Sequence, residues 1–351
     1  MRKGPAALIS FVAISAMLGC GSGTATQPGV VGTPIDSVKV ALTDLTSGAY
    51  LGFPGGLYPN GSDVEPSPHA AEGARRAALI KPLDANGNPS ASGKIVLVSI
   101  GMSNTSQEFC AANGTTSCFP ETFMGVSASD NAVNHSSLVI VNGAQGGEDA
   151  SDWNSPTAPT FNVVRDQRLA QLGVREKQVQ IVWLKEADAN PTVSLPDAAA
   201  DAYVLERRLG DIVRALRVRY PNLRQVFLGT RTYGGYSTGR LNPEPFAYES
   251  GFAVKWLIQA QIDQAQSGRV VDVRAGDLDY GAVAPWIAWG PYAWANGTVA
   301  RSDGLTWIRD DFGPDGTHPS ALGRAKVGTL LLSFFKTSTF TRCWFLAGRS
   351  C

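Results

Sequence analysis

Four short runs, each continuously apolar and bounded by turn-forming residues, constrain this chain more than any other feature. They are 94–100 (KIVLVSI), 138–142 (LVIVN), 179–184 (VQIVWL) and 225–229 (QVFLG). A strand that is apolar along its whole length has no face to offer water, so it must be covered on both sides. A weaker run follows at 270–273 (VVDV). Between the runs the apolar period changes to that of a helix. Over 198–220, Leu205, Leu209, Ile212, Val213 and Leu216 fall on one face, and Pro221 marks the stop. Segments 252–266 and 320–335 read in the same way. Strand and helix alternating along a chain whose residues are 44% apolar predict an α/β domain with a parallel sheet covered on both faces. Such sheets build their sites at the C-terminal ends of the strands.

The N-terminus carries a different signal. Met1-Arg2-Lys3 is basic, and the apolar or small residues 6–18 are too few to span a bilayer but suit a secretory leader. The leader ends at Met17-Leu18-Gly19-Cys20, which resembles a bacterial lipoprotein box; a plain signal peptide is the alternative. The organisation expected is therefore a leader over 1–20 with Cys20 lipidated, a Gly, Ser, Thr and Pro-rich tether over 21–40, and one domain over 41–351. The protein is expected outside the cytoplasm, secreted or anchored through Cys20, with the lipid as its only membrane contact. Export favours disulfides. Cys110, Cys118, Cys343 and Cys351 fall into two pairs eight positions apart, so 110–118 with 343–351 is the local pairing, and two other connectivities stay open.

Lys plus Arg is 30 and Asp plus Glu is 30, which argues against a nucleic-acid binder. Only His69, His135 and His318 are available as a histidine base, and so few histidines argue against a multi-histidine metal site. No metal or organic cofactor is expected. Of the three, His318 stands out in Asp315-Gly316-Thr317-His318-Pro319, ahead of a helical pattern. Asp315 lies three residues before His318, close enough to hold one ring nitrogen and leave the other as a base. After the first run come Gly101-Met102-Ser103-Asn104, which could present Ser103 as a nucleophile. After the second come Asn142-Gly143-Ala144-Gln145-Gly146-Gly147-Glu148, where a glycine can bring a backbone N–H to a ligand.

This order of blocks resembles the SGNH hydrolase superfamily, the GDSL-type esterases, from about residue 94 to residue 335. The block Ala144 to Glu148, with Trp153 nearby, looks most like its carbohydrate acetylesterase branch. The resemblance implies a flavodoxin-like three-layer α/β/α sandwich. It also implies Ser103, His318 and Asp315 as a catalytic triad, with Ser103 and Gly147 in the oxyanion hole. The third block departs from the family: residues 183–191 read WLKEADANP, without the usual Asn or Gln-Gly-Glu. Asn190 is taken as the side-chain oxyanion donor ahead of Lys185, because a neutral amide can donate without burying a charge.

Further substrate contacts are expected from Asn104, Arg231, Tyr233, Trp286 and Trp289. The two tryptophans belong to an aromatic stretch, with Tyr292, Trp294 and Trp307, that could wall the site or simply pack a long loop. Segment 50–58 could fold over the site or cap the sheet. The activity expected is removal of acetyl or other short acyl groups from a carbohydrate ester. The alternatives are a catalytically inactive glycan-binding lipoprotein on the same scaffold, and a lipase or aryl esterase.

Overall fold

The computed structural model describes residues 39–110, 113–349 and 351. The expected leader 1–20, Cys20 and tether residues 21–38 lie outside the described residues. Lys39 and Val40, expected at the end of the tether, already belong to the fold: their carbonyls accept hydrogen bonds from Asn296 Nδ2 and the Tyr248 hydroxyl.

The four apolar runs all become strands: β1 (Ile95–Gly101), β2 (Leu138–Asn142), β3 (Val179–Lys185) and β4 (Gln225–Leu228). The fifth expectation is corrected. Segment 270–273 is an exposed loop in which Asp272 accepts from the Arg274 backbone N–H at 2.8 Å, a turn contact that a strand cannot make. The fifth strand, β5 (Trp286–Trp289), comes from the aromatic stretch. The five strands form one parallel sheet in the order β2-β1-β3-β4-β5, which is the flavodoxin-like arrangement.

Successive residues point to opposite faces and build two separate cores. Val96, Val98, Val182, Leu184, Val226, Ile287 and Trp289 pack on one face with α4 (Asp201–Arg219) and α5 (Phe246–Ser267). Ile95, Leu97, Ile181, Trp183, Phe227, Trp286 and Ala288 pack on the other with Phe109, Phe123, Leu331 and Phe335. That second face is covered by α1 (Ser67–Ala77), α2 (Ser103–Phe109), α3 (Phe123–Ser129) and α6 (Ala321–Thr337). Burial on both faces is why the strands read as unbroken apolar runs. Ser320 caps α6 by accepting from the Leu322 and Gly323 N–H groups.

Both expected disulfides form, Cys110–Cys118 and Cys343–Cys351. Segment 50–58 packs on α5 and the edge strand: the Tyr50 hydroxyl donates to Glu249, Lys255 Nζ donates to the Pro54 carbonyl, and Trp289 Nε1 donates to the Leu57 carbonyl. Among the described residues no helix is long and apolar enough to cross a membrane.

Candidate active site

The order β2-β1-β3 makes β1 the switch point, where the chain leaves first to one side of the sheet and then to the other. The loops that follow β1, β2, β3 and β4 therefore converge beyond its C-terminal end. Ser103 opens α2 directly after the β1 turn. That turn requires glycine: a Cβ on Gly101 would sit 2.2 Å from the Lys185 carbonyl oxygen of β3. As the first helical residue, Ser103 also has a backbone N–H with no acceptor inside its own helix.

Ser103 Oγ lies 2.8 Å from His318 Nε2, and His318 Nδ1 lies 2.5 Å from Asp315 Oδ2. Asp315 Oδ1 accepts from the backbone N–H groups of Thr317 (2.9 Å) and His318 (3.0 Å), so the carboxylate is held from both sides. Partial burial would raise the Asp315 carboxyl, but bonds from the His318 ring and these two N–H groups outweigh it and keep the pKa low. The turn is tight: Gly316 has φ +67°, and a Cβ there would lie 1.7 Å from the Tyr236 carbonyl oxygen. Asn104 Nδ2 donates to the Thr317 carbonyl at 2.8 Å, tying the histidine loop to the start of α2.

On the β2 side, Gly146 N–H donates to Asn113 Oδ1 at 2.6 Å. The next N–H, that of Gly147, has no partner among the described residues. Asn113 sits in the loop closed by the Cys110–Cys118 disulfide, so this cross-link supports the Gly146-Gly147 turn.

These groups line a cavity of about 200 Å³. Ser103, Asn104, Gly147, Arg231 and His318 are on its wall, as expected from the sequence. Met102, Glu148, Asp149, Ala187, Asp188, Ala189, Leu241 and Asn242 complete it. Of these, Asp188 falls within the third block, whereas nothing in the sequence singles out Asn242. Burial raises the Asp188 carboxyl despite Arg208 at 2.6 Å, and raises Glu148 with help from Asp152 and Asp149. Among the described residues no group of three or more His, Cys, Asp or Glu is placed to hold a metal ion.

Four expectations fail. Asn190 is exposed, adopts φ +52° and does not line the cavity: the chain has already turned outward after Ala189. Lys185, the second choice, is fully buried with its ammonium on both oxygens of Glu108 (2.7 and 2.5 Å) and does not line the cavity. Trp286 and Trp289 are not substrate contacts but core residues of β5, their indole N–H groups given to the His69 and Leu57 carbonyls. Tyr233 packs edge-on against Tyr236 and near Trp294, away from the cavity wall. Trp294 and Trp307 are buried too, donating to Glu244 and the Ala293 carbonyl, so the aromatic stretch is core. His69 is buried and His135 exposed, neither near Ser103 in the fold's hydrogen bonding.

No protein-family model matches the chain, and no curated protein does. Solved structures do. An extracellular lipase from Streptomyces rimosus is 15% identical over 68% of this chain and 99% of its own, with a TM-score of 0.34. A carbohydrate esterase family 2 enzyme with a carbohydrate-binding domain, from Corynascus thermopiles (Myceliophthora fergusii), is 14% identical over 70% of this chain and 66% of its own, with a TM-score of 0.36. A two-domain esterase active on acetylated mannans is 10% identical over 77% of this chain and 57% of its own, with a TM-score of 0.34.

Proposed function

We propose that this protein is a serine ester hydrolase of the SGNH type, and that it removes acetyl or other short acyl groups from a carbohydrate outside the cytoplasm. The observation that carries the reading is the unbroken line from Ser103 Oγ through His318 Nε2 and Nδ1 to Asp315, at 2.8 and 2.5 Å. Attack of Ser103 Oγ on the ester carbonyl forms the O–C bond while the Oγ proton passes to His318 Nε2. Asp315 fixes the ring and stabilises the imidazolium. The N–H groups of Ser103 and Gly147 face the oxygen that gains charge. The imidazolium then gives its proton to the departing sugar hydroxyl, leaving the acyl group on Ser103. Water, deprotonated by the same nitrogen, releases the acid.

The small cavity suits a short acyl group, and Glu148, Asp149 and Asp188 on its wall are acceptors for sugar hydroxyls. The aromatic stretch no longer speaks for a sugar platform, because it lies in the core. A lipase would need a longer apolar channel than Met102, Ala187, Ala189 and Leu241 provide. An inactive glycan binder would have no use for the bond from Ser103 to His318. Lipid attachment at Cys20 belongs to the same proposal, as does delivery by the leader.

The test is release of nitrophenol from acetyl, butyryl and octanoyl esters, and of acetate from acetylated xylan and mannan. Wild type is expected to prefer the acetyl ester and to release acetate, and Ser103→Ala to lose at least about 10³-fold in kcat. Equal inactivity of both proteins would end the enzyme reading. Activity rising with acyl length would replace it with a lipase.

A further inference from the structure

The loop after β3 leaves the oxyanion hole with two backbone donors and no amide. Among the polar side chains on the cavity wall, two already commit an amide N–H to a backbone carbonyl. Asn104 gives Nδ2 to the Thr317 carbonyl, and Asn242 gives Nδ2 to the Asp188 carbonyl at 2.5 Å. Arg231, from the loop after β4, does not. It is 3% exposed, and no carboxylate among the described residues comes within ion-pair distance. Its Nε finds no acceptor. Its one contact is weak, from Nη1 to the thioether sulfur of Met102 at 3.5 Å. Burial lowers the guanidinium pKa, with Glu108, Glu186, Glu244 and Asp315 pulling the other way.

A buried guanidinium without an anion is costly, and groups of this kind gather where a charge arrives during function. Arg231, whose Nη1 touches Met102, reaches the wall of the cavity that holds Ser103 from the β4 side of the sheet. Gly147 approaches from the β2 side. An oxygen between them would meet donors from both directions.

Resting on the ester-hydrolase reading, we propose that Arg231 is the third oxyanion donor. Its unused N–H groups bind the former carbonyl oxygen once Ser103 Oγ has added to the ester carbon, alongside the N–H groups of Ser103 and Gly147. The negative charge in question exists only in the tetrahedral intermediate and the transition states flanking it, so the interaction favours those over bound substrate. A permanent carboxylate on the substrate is the other anion that a guanidinium could serve. Glu148, Asp149 and Asp188 on the same wall disfavour it.

The experiment compares wild type, Arg231→Ala and Arg231→Lys on nitrophenyl acetate and on the nitrophenyl monoester of succinate, which carries a carboxylate. Circular dichroism checks folding, and phosphonate labelling of Ser103 checks that the nucleophile is intact. Arg231→Ala is expected to lose about 10²–10³-fold in kcat on both esters, with KM nearly unchanged. Millimolar guanidinium chloride is expected to restore about tenfold or more to Arg231→Ala, while equal potassium chloride does nothing and wild type does not respond. Should Arg231→Ala fail to fold, Arg231→Lys decides: a point charge without the planar fork is expected to lose about tenfold or more in kcat. Retention of kcat within about threefold in whichever variant folds overturns the proposal. A loss confined to KM for the succinate ester also overturns it, in favour of substrate-carboxylate binding. Wild type that is neither active nor labelled at Ser103 overturns the ester-hydrolase reading beneath it.

Discussion

Replacing Asp315 by Asn changes one oxygen of the side chain to NH2 and leaves its size alone, yet the geometry makes this a severe change. Oδ1 accepts from two backbone N–H groups at 2.9 and 3.0 Å, so the amide oxygen must take that place. The NH2 then falls where Oδ2 stood, 2.5 Å from His318 Nδ1. Two donors cannot share that line, so the ring moves its proton to Nε2 and turns Nδ1 into an acceptor. Nε2–H now faces Ser103 Oγ and cannot take the serine proton. Loss of the base in this way is worth about 10³–10⁴-fold in kcat, or about 4–5 kcal/mol of barrier. Asp315→Ala behaves differently. The carboxylate side chain is 46% exposed, so water can enter its place and accept from Nδ1–H. The ring then keeps the productive tautomer, and the loss is about 10–10²-fold. The predicted order is therefore wild type above Ala above Asn, measured as kcat on nitrophenyl acetate at pH 7 with thermal melts to show intact folding. Asn within tenfold of wild type, or clearly above Ala, would refute the tautomer argument.

Other consequences concern the scaffold around the site. Lys185→Met strands the Glu108 carboxylate in a fully buried place and should cost about 3–5 kcal/mol in urea unfolding; adding Glu108→Leu should recover most of it, and a double variant no better than the single would refute the pairing. Glu206 on α4 is 0% exposed; burial, and then Asp272, push its pKa up to about 8 against the pull of Arg274. The folded state thus holds a proton that the unfolded chain releases near 4.5, so this group's contribution is complete below that pH and declines as pH rises towards 8. Glu206→Gln should remove that slope, up to about 1.4 kcal/mol per pH unit, and parallel stability curves for the two proteins would contradict it. Gly101→Ala should fold poorly and lose activity, because its Cβ meets the Lys185 carbonyl oxygen at 2.2 Å; a fully active, equally stable variant would show that the turn can relax.

Much of this architecture was legible in the sequence because two-sided burial leaves a simple mark. Runs such as IVLVSI and VQIVWL have no polar face, and each forms a central strand. Asp315 and His318 were legible because they stand three positions apart in one turn. The edge strand was not. Trp286–Trp289 sits among glycines, prolines and further tryptophans, and the side-chain alternation that splits it between two cores looks like loop packing until the sheet is in place. The resemblance to the SGNH superfamily points to the loop after β3 for the third oxyanion donor. Asn190 lies just past the point where the backbone leaves the cavity. The place of Arg231 at a strand end points to a contact, but its lack of an acid partner depends on which carboxylates the fold brings near. Lys185 shows the same limit, since its partner Glu108 lies 77 residues away in sequence.

Ser103 as the nucleophile is the one role on which every step of the proposed reaction depends. Intact protein treated with a serine-directed fluorophosphonate, digested and mapped by mass spectrometry, tests this directly. One adduct, on Ser103, absent in Ser103→Ala and much slower to form in His318→Gln, is the result expected. An adduct on another residue, or none on a folded protein, would contradict it.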